Sequence, residues 1–264
     1  MIASGLPRYY TELRPFRDLL ASGDAILTYH HVGLRPPGAR LKGLYVDSEL
    51  FSRQLAELHN AGFKAEAFDR LTSPVPIGRG RIFISFDDGF QDVFENAPAV
   101  LNEHRFTSMQ FLVANCLGQT SIWQAPSGEI PGKLMDREAV REWLAAGHQI
   151  GSHTLTHPFL SRIPIEQAKE EIIGSKKKLE DLFGLETAHF CYPYGDCNAA
   201  VRDLVKEAGY RTACTTQFGV NRRDTDRYSL RRLTARYRSR NLRGLGRWIT
   251  GLLQRDNSET NSDC

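Results

Sequence analysis

Short, almost wholly apolar runs alternate along this chain with longer segments that carry a helical stripe, and this alternation dictates most of the architecture open to it. Runs at 25–32, 63–68, 81–87, 108–114, 149–153, 188–192, 211–215 and 229–235 have the length and the β-branched and aromatic content of strands. Apolar residues on both faces of a strand are expected where helices cover a parallel sheet on each side. Between the runs, Ser48 can cap a helix whose Phe51, Leu55 and Leu58 share a face, with Gly62 at its stop. Asp136 opens a helix carrying Val140, Trp143 and Leu144, which Gly147 ends. A long helix over 165–183 follows Pro164 and aligns Ile165, Ala168, Ile172, Leu179 and Leu182. Asn198 caps another over 199–208, closed by Gly209. Strand–helix–strand units of this kind are right-handed and build a mainly parallel sheet. About eight of them suit a TIM-like (β/α) barrel better than an open sheet. The expected class is therefore α/β, as one domain over residues 1–264 with its core over about 25–235.

Composition removes several alternatives. With 41% hydrophobic and 25% charged residues the chain can build a core, which excludes wholesale disorder. No stretch approaches the roughly 18 consecutive apolar residues of a membrane-spanning helix. Residues 1–16 carry Arg8, Glu12 and Arg14 without an apolar core, so no secretory signal and a cytoplasmic location are expected. The five cysteines are scattered, with no C-x-x-C pair, which reads as reduced thiols and not as a disulfide framework. A net charge of +3 does not point to nucleic acid, although ten arginines and only two aspartates lie between Arg222 and Arg247. Overlapping the end of this span, Leu242, Leu245, Trp248, Ile249, Leu252 and Leu253 form a stripe opposite Arg240, Arg243 and Arg247. A C-terminal basic helix and tail over 239–264 either touches an anionic membrane peripherally or packs as a last barrel helix.

In such barrels the chemistry collects at the C-terminal ends of strands, and three of these ends stand out. Ser85-Phe86-Asp87-Asp88-Gly89 puts two adjacent carboxylates after a buried strand, where each loses solvation and raises the other's pKa. A bound cation relieves both problems; an Asp-Gly turn with a helix cap at Asp88 is the competing reading. In Gly151-Ser152-His153-Thr154-Leu155-Thr156-His157-Pro158, one helical turn brings both imidazoles to one ion. With a carboxylate from elsewhere they make a two-histidine, one-carboxylate site; packed or surface histidines are the plainer account. Phe190-Cys191-Tyr192-Pro193-Tyr194-Gly195 is a stiff loop suited to presenting a backbone N–H, or simply a turn.

In this order the three elements resemble the motifs of the NodB-homology polysaccharide deacetylases, carbohydrate esterase family four. Leu27–Val32, residues 126–135 and Leu230–Leu233 also resemble segments of exopolysaccharide-operon members, so the likeness spans roughly residues 25–233. The resemblance implies a distorted, incomplete (β/α) barrel that hydrolyses N-acetyl groups from an amino-sugar polysaccharide or a lipid-linked glycan. It makes Asp88, His153 and His157 the ligands of a divalent metal, most often zinc. Asp87 becomes the general base, and the Tyr194 N–H helps to hold the oxyanion. Such a division of labour suits an amide, a poor electrophile that needs both a polarised carbonyl and a strong nucleophile.

Two departures from the family pattern stand out. The arginine that usually orients the base is replaced by Cys191, and no histidine follows His189 to act as the usual general acid. Either Asp87 returns its captured proton to the leaving amine, or His30 at the end of the first strand donates one. Arg232 is a candidate replacement partner for Asp87, or else a surface or phosphate contact. Trp123, Pro193 and Tyr194 are the candidate substrate contacts, with Trp123 either stacking on a sugar or packing beneath its loop. A deformylase or other amide hydrolase on the same fold, and a non-catalytic glycan-binding module, are the competing functions.

Overall fold

The computed structural model describes residues 6–73 and 80–236. Its strands are β1 (Ala25–Tyr29), β2 (His31–Val32), β3 (Tyr45–Val46), β4 (Ile82–Phe86), β5 (Met109–Leu112), β6 (Gln149–Ser152), β7 (His189–Cys191), β8 (Thr212–Phe218) and β9 (Leu230–Thr234). The helices are α1 (Arg17–Ala21), α2 (Ser48–Asn60), α3 (Gln91–Asn96), α4 (Pro98–Glu103), α5 (Arg137–Ala145), α6 (Ile165–Phe183) and α7 (Ala199–Glu207). Seven strands form one closed parallel ring in the order β1-β4-β5-β6-β7-β8-β9, with β9 pairing back onto β1 through Leu27 opposite Leu233. The barrel is thus one strand short of eight, and distorted by a register shift between Cys214 and Phe218 where β8 meets β9.

Two-residue alternation explains why the strands read as continuous apolar runs. On β4, Ile82, Ile84 and Phe86 pack outward against the helical layer, while Phe83 turns into the lumen. On β1, Leu27 faces outward and Ile26 inward, so each strand buries both faces. The lumen is filled by Ile26, Phe83, Met109, Phe111, Cys191, Cys214 and Leu230, and its floor is Phe68. Gly151 is required beside this layer, because a Cβ there would stand 2.7 Å from the Phe111 ring.

Several expectations are corrected. Residues 63–68 form no strand: Ala65 makes a single bridge to Ile82, and the chain then coils into a 3-10 turn over Phe68–Thr72. β1 and β4 pair directly over five residues, so this segment does not come between them; it only wedges between the starts of β4 and β5, where the Glu66 N–H donates to the Ile82 carbonyl and the Thr107 N–H to the Ala65 carbonyl, before the chain turns away. The Phe68 N–H donates instead to Gln149 Oε1 at 2.6 Å, which directs the Phe68 ring into the lumen. The run 25–32 divides at His30, and its last two residues leave the barrel to pair with Tyr45 and Val46. Asp47, not Ser48, caps α2, its carboxylate accepting from the Leu50 N–H. The long helix α6 buries Ala168, Glu171, Ile172, Ser175 and Leu179, whereas Ile165 is 47% exposed. The proposed C-terminal basic helix lies outside the described residues. Among those described, no helix is long and apolar enough to cross a membrane.

Candidate active site

Alternation along β4 carries straight into the chemistry. Phe83 and Ser85 point into the barrel, and Asp87, two residues further on, continues that column into its mouth. On β9, Leu230 faces inward and so does Arg232, which is 2% exposed. The two side chains meet as a fork: Arg232 Nη1 and Nη2 each donate to an Asp87 oxygen at 2.7 Å. Arg232 Nε donates to the Thr215 carbonyl at 2.8 Å, and Nη1 reaches Ser85 Oγ at 3.4 Å. The missing motif arginine is therefore replaced in space from a different strand. Burial pushes the Asp87 carboxyl up, but the guanidinium more than offsets this and holds it below the usual carboxylate range.

Asp88 turns the other way. It takes a left-handed backbone (φ 75°), heads no helix, and places Oδ1 3.2 Å from His157 Nε2 and 3.4 Å from His153 Nε2. The helical turn expected between the histidines is absent. Thr154 and His157 both have positive φ, 70° and 67°, and the His157 N–H donates to Thr154 Oγ1 at 2.9 Å. Glu171, buried on α6, accepts from the Leu155 and Thr156 N–H groups at 2.9 Å each and fixes this loop. Reasoning from sequence missed Glu171; its signal was an acidic residue three positions after Ala168 on an apolar stripe. Of the five non-glycine residues with positive φ among those described, Asp88, Thr154, His157 and Tyr194 lie at this site. Such conformations cost of order 1–3 kcal/mol each and persist where the surroundings over-determine them.

These donors fit a metal ion. His153 Nδ1 donates to the Cys191 carbonyl at 2.7 Å, which aims Nε2 at Asp88; burial opposes protonation of this ring, but Cys191 and Asp88 raise its pKa well above the ordinary histidine value, so a cation would take the place of the Nε2 proton. Burial lowers the pKa of His157 and favours its neutral form. Donors each about 2.0–2.1 Å from one tetrahedral ion stand about 3.3 Å apart, close to the two separations found. Asp87, His153 and Cys191 also lie near one another, but burial pushes the Cys191 thiol up to about 11, whereas a thiol must ionise to ligate. Cys191 thus contributes its backbone carbonyl.

Of the remaining candidates, His30, Trp123 and Tyr194 line the same pocket of about 450 Å³, which opens among Leu41, Leu44, Trp123, Pro126, Phe159 and Tyr194, whereas Pro193 is not among its lining residues. His30 Nε2 lies 3.8 Å from Asp87 Oδ2, and burial lowers its pKa. Pro193 is buried, while Tyr194 has φ 60° and is 44% exposed, with its ring stacked on Phe159 at 3.8 Å. Gly195 must be glycine: its φ is +70°, and a Cβ would stand 2.1 Å from Thr216 Oγ1. Trp123 stacks on His157 with ring centroids 4.6 Å apart and planes 20° apart. Sequence reasoning did not find the second wall, where Leu41 and Leu44 arrive on the loop between β2 and β3. Buried Glu129 ties the two walls together, accepting from the Arg40 N–H at 2.7 Å and also from the Leu41 N–H.

With this geometry in place, the comparison with known proteins is decisive: the family model described as polysaccharide deacetylase matches residues 75–213, more than half of the chain. The chain belongs to the polysaccharide deacetylase family. It is a hydrolase of amide carbon–nitrogen bonds. It is 26% identical over 212 residues to YxkH of Bacillus subtilis, whose name assigns it to the polysaccharide deacetylases; the match covers 79% of this chain and 70% of that protein. It is 23% identical over 229 residues to the poly-β-1,6-N-acetyl-D-glucosamine N-deacetylase of Staphylococcus epidermidis, covering 78% of this chain and 77% of that one. The solved structure of IcaB from Ammonifex degensii superposes with a TM-score of 0.69 at 20% identity, over 86% of this chain and 96% of the other, a likeness of fold.

Proposed function

We propose that this polysaccharide deacetylase removes N-acetyl groups from a polymeric or lipid-linked amino sugar, with a divalent ion, zinc by the chemistry of its donors, held by Asp88, His153 and His157. The observation that carries the reading is the convergence of that donor set with the Asp87–Arg232 fork in one pocket. When bound, such an ion supplies Lewis acidity toward an amide carbonyl and lowers the pKa of water from about 15.7 toward 7.

The rest of the work falls to the chain. Asp87, kept ionised by Arg232, takes a proton from the attacking water, a contribution typically worth about 10²–10⁴-fold. The Tyr194 N–H stabilises the oxyanion as the carbonyl becomes tetrahedral. Asp87 then returns its proton to the amine nitrogen as the carbon–nitrogen bond breaks, leaving acetate and a free amine. The lowered pKa of His30 favours Asp87 in this second role, because a neutral imidazole near pH 7 has no spare proton for an amine. Trp123 and Tyr194 both line the pocket proposed to receive the sugar, and Tyr194 is the more exposed of the two. The name of the Staphylococcus epidermidis relative supports a β-1,6-linked N-acetylglucosamine polymer as the first substrate to try.

The test is acetate release from β-1,6-linked and chito-oligosaccharides by protein of measured metal content. Stoichiometric metal, release of acetate, and loss of both in Asp88→Ala are expected. Full turnover by metal-free protein would end the reading.

A further inference from the structure

The two histidines of the donor set are held in unlike ways. His153 has the support usual for a ligating imidazole, its Nδ1 donating to the Cys191 carbonyl at 2.7 Å. His157 has none: its Nδ1 is buried and finds no hydrogen-bond partner among the described residues. Its backbone is fixed through Thr154 Oγ1, but no hydrogen bond from Nδ1 sets the rotation of its ring. Three rings enclose it instead. The Trp123 indole lies nearly parallel to it at 4.6 Å, while Tyr194 and His153 meet it edge-on at 4.6 Å and 4.8 Å.

The indole is itself on a pinned loop. Ser121 Oγ donates to Gln124 Oε1 at 2.6 Å and accepts from the Gly132 N–H at 2.8 Å, closing the turn that carries Trp123. A half-buried tryptophan on such a turn is a rigid wall, and an aromatic pair adds about 0.5–1.5 kcal/mol beyond the area it buries.

Resting on the metal-site reading above, we infer that Trp123 is a positioning residue that sets the imidazole plane of His157 by stacking, in place of the missing hydrogen bond. The face of the indole that meets His157 is thereby closed to a sugar. Tyr194, more exposed and edge-on to the same histidine, becomes the aromatic surface left for substrate.

The experiment measures binding of Zn²⁺ alone, without glycan, to chelator-stripped protein by equilibrium dialysis. Wild type, Trp123→Ala, Trp123→Leu, Trp123→Phe and Asp88→Ala are compared, with thermal melts confirming that each is folded. Removal of a group that orients a ligand typically weakens metal affinity about 10–100-fold. That loss is expected in the alanine and leucine variants, while phenylalanine, which keeps a stacking face, stays within a few-fold of wild type. Leucine retains apolar bulk, so it tests the stacking even if alanine destabilises the loop. Unchanged Zn²⁺ affinity in both, with only KM for the glycan raised, would overturn the inference and return Trp123 to the role of sugar platform. Unchanged affinity in Asp88→Ala would defeat the metal-site reading itself and this inference with it, an outcome distinct from failure of the tryptophan variants alone.

Discussion

Strand β4 begins and ends in a buried Asp–Arg fork, and the two forks do different things. At its start, Arg81 donates to Asp24 at 2.8 Å and 2.6 Å, and to the Arg70 and Ser73 carbonyls at 2.6 Å and 3.3 Å. At its end, Asp87 accepts from Arg232 with both contacts at 2.7 Å. The same pair of side chains, bidentate in both places but through Nε and Nη2 below and through Nη1 and Nη2 above, is a clasp at the floor and, in the proposed mechanism, a tuned base at the mouth. What differs is the surroundings. The lower guanidinium spends its spare donors on the chain that closes the floor. The upper carboxylate faces a pocket, a nearby imidazole and the ion-binding donors. Role is set by what the fork faces, and not by the fork.

Substitutions can break that comparison. Asp87→Asn should lower kcat/KM by about 10²–10⁴-fold, the scale of general-base catalysis, whereas Asp24→Asn should leave turnover per folded molecule intact. Acetate release normalised to folded protein checks both. Asp24→Ala leaves a buried guanidinium unpaired and should cost about 3–5 kcal/mol, read by denaturant unfolding. Replacing the whole lower pair, as Asp24→Leu with Arg81→Met, should recover most of that loss, since apolar residues of similar volume often substitute for a buried pair without penalty.

Acidity sharpens the contrast. Asp87 works only when ionised, and Arg232 depresses its pKa, so the acid limb of kcat/KM should lie below the ordinary aspartate value of about 3.9. In Arg232→Gln the burial is no longer offset, and the limb should move to higher pH; Arg81→Gln should leave it in place. By the same sign, the stability that the ionised Asp87 contributes is present above about 3.9 and is lost as pH falls through its depressed native value. The smallest effect belongs to Leu34, 93% exposed on the loop that also carries Leu41. Leu34→Ser should change stability by no more than about 0.5 kcal/mol, as for other surface positions.

The upper fork was only half legible in the sequence. Asp87 could be placed because strand alternation is local: Phe83, Ser85 and Asp87 must share a side. Arg232 could be suspected from chemistry, but that it meets Asp87 depends on how the ring closes, and no local pattern encodes that. The His153–His157 spacing suggested a helix because i, i+4 is the helical repeat. The chain reaches the same convergence through two left-handed residues, a geometry that side-chain spacing cannot reveal. Residues 63–68 looked like a strand because Phe63, Ala65 and Phe68 are apolar, yet only Ala65 reaches the edge of β4, wedged beside Thr107 at the start of β5, before the chain turns off into Phe68–Thr72. Asp47 lost to Ser48 as expected cap because the two are equally good chemically and adjacent.

Arg232 stands on β9, the strand that seals the ring, while Asp87, Asp88, His153 and His157 all come from earlier in the chain. In chain order the groups proposed to hold the ion therefore come well before the one proposed to keep the base charged. Under the proposed mechanism, hydrolytic competence therefore depends on the final stitch of the barrel, because Arg232 arrives at Asp87 with it.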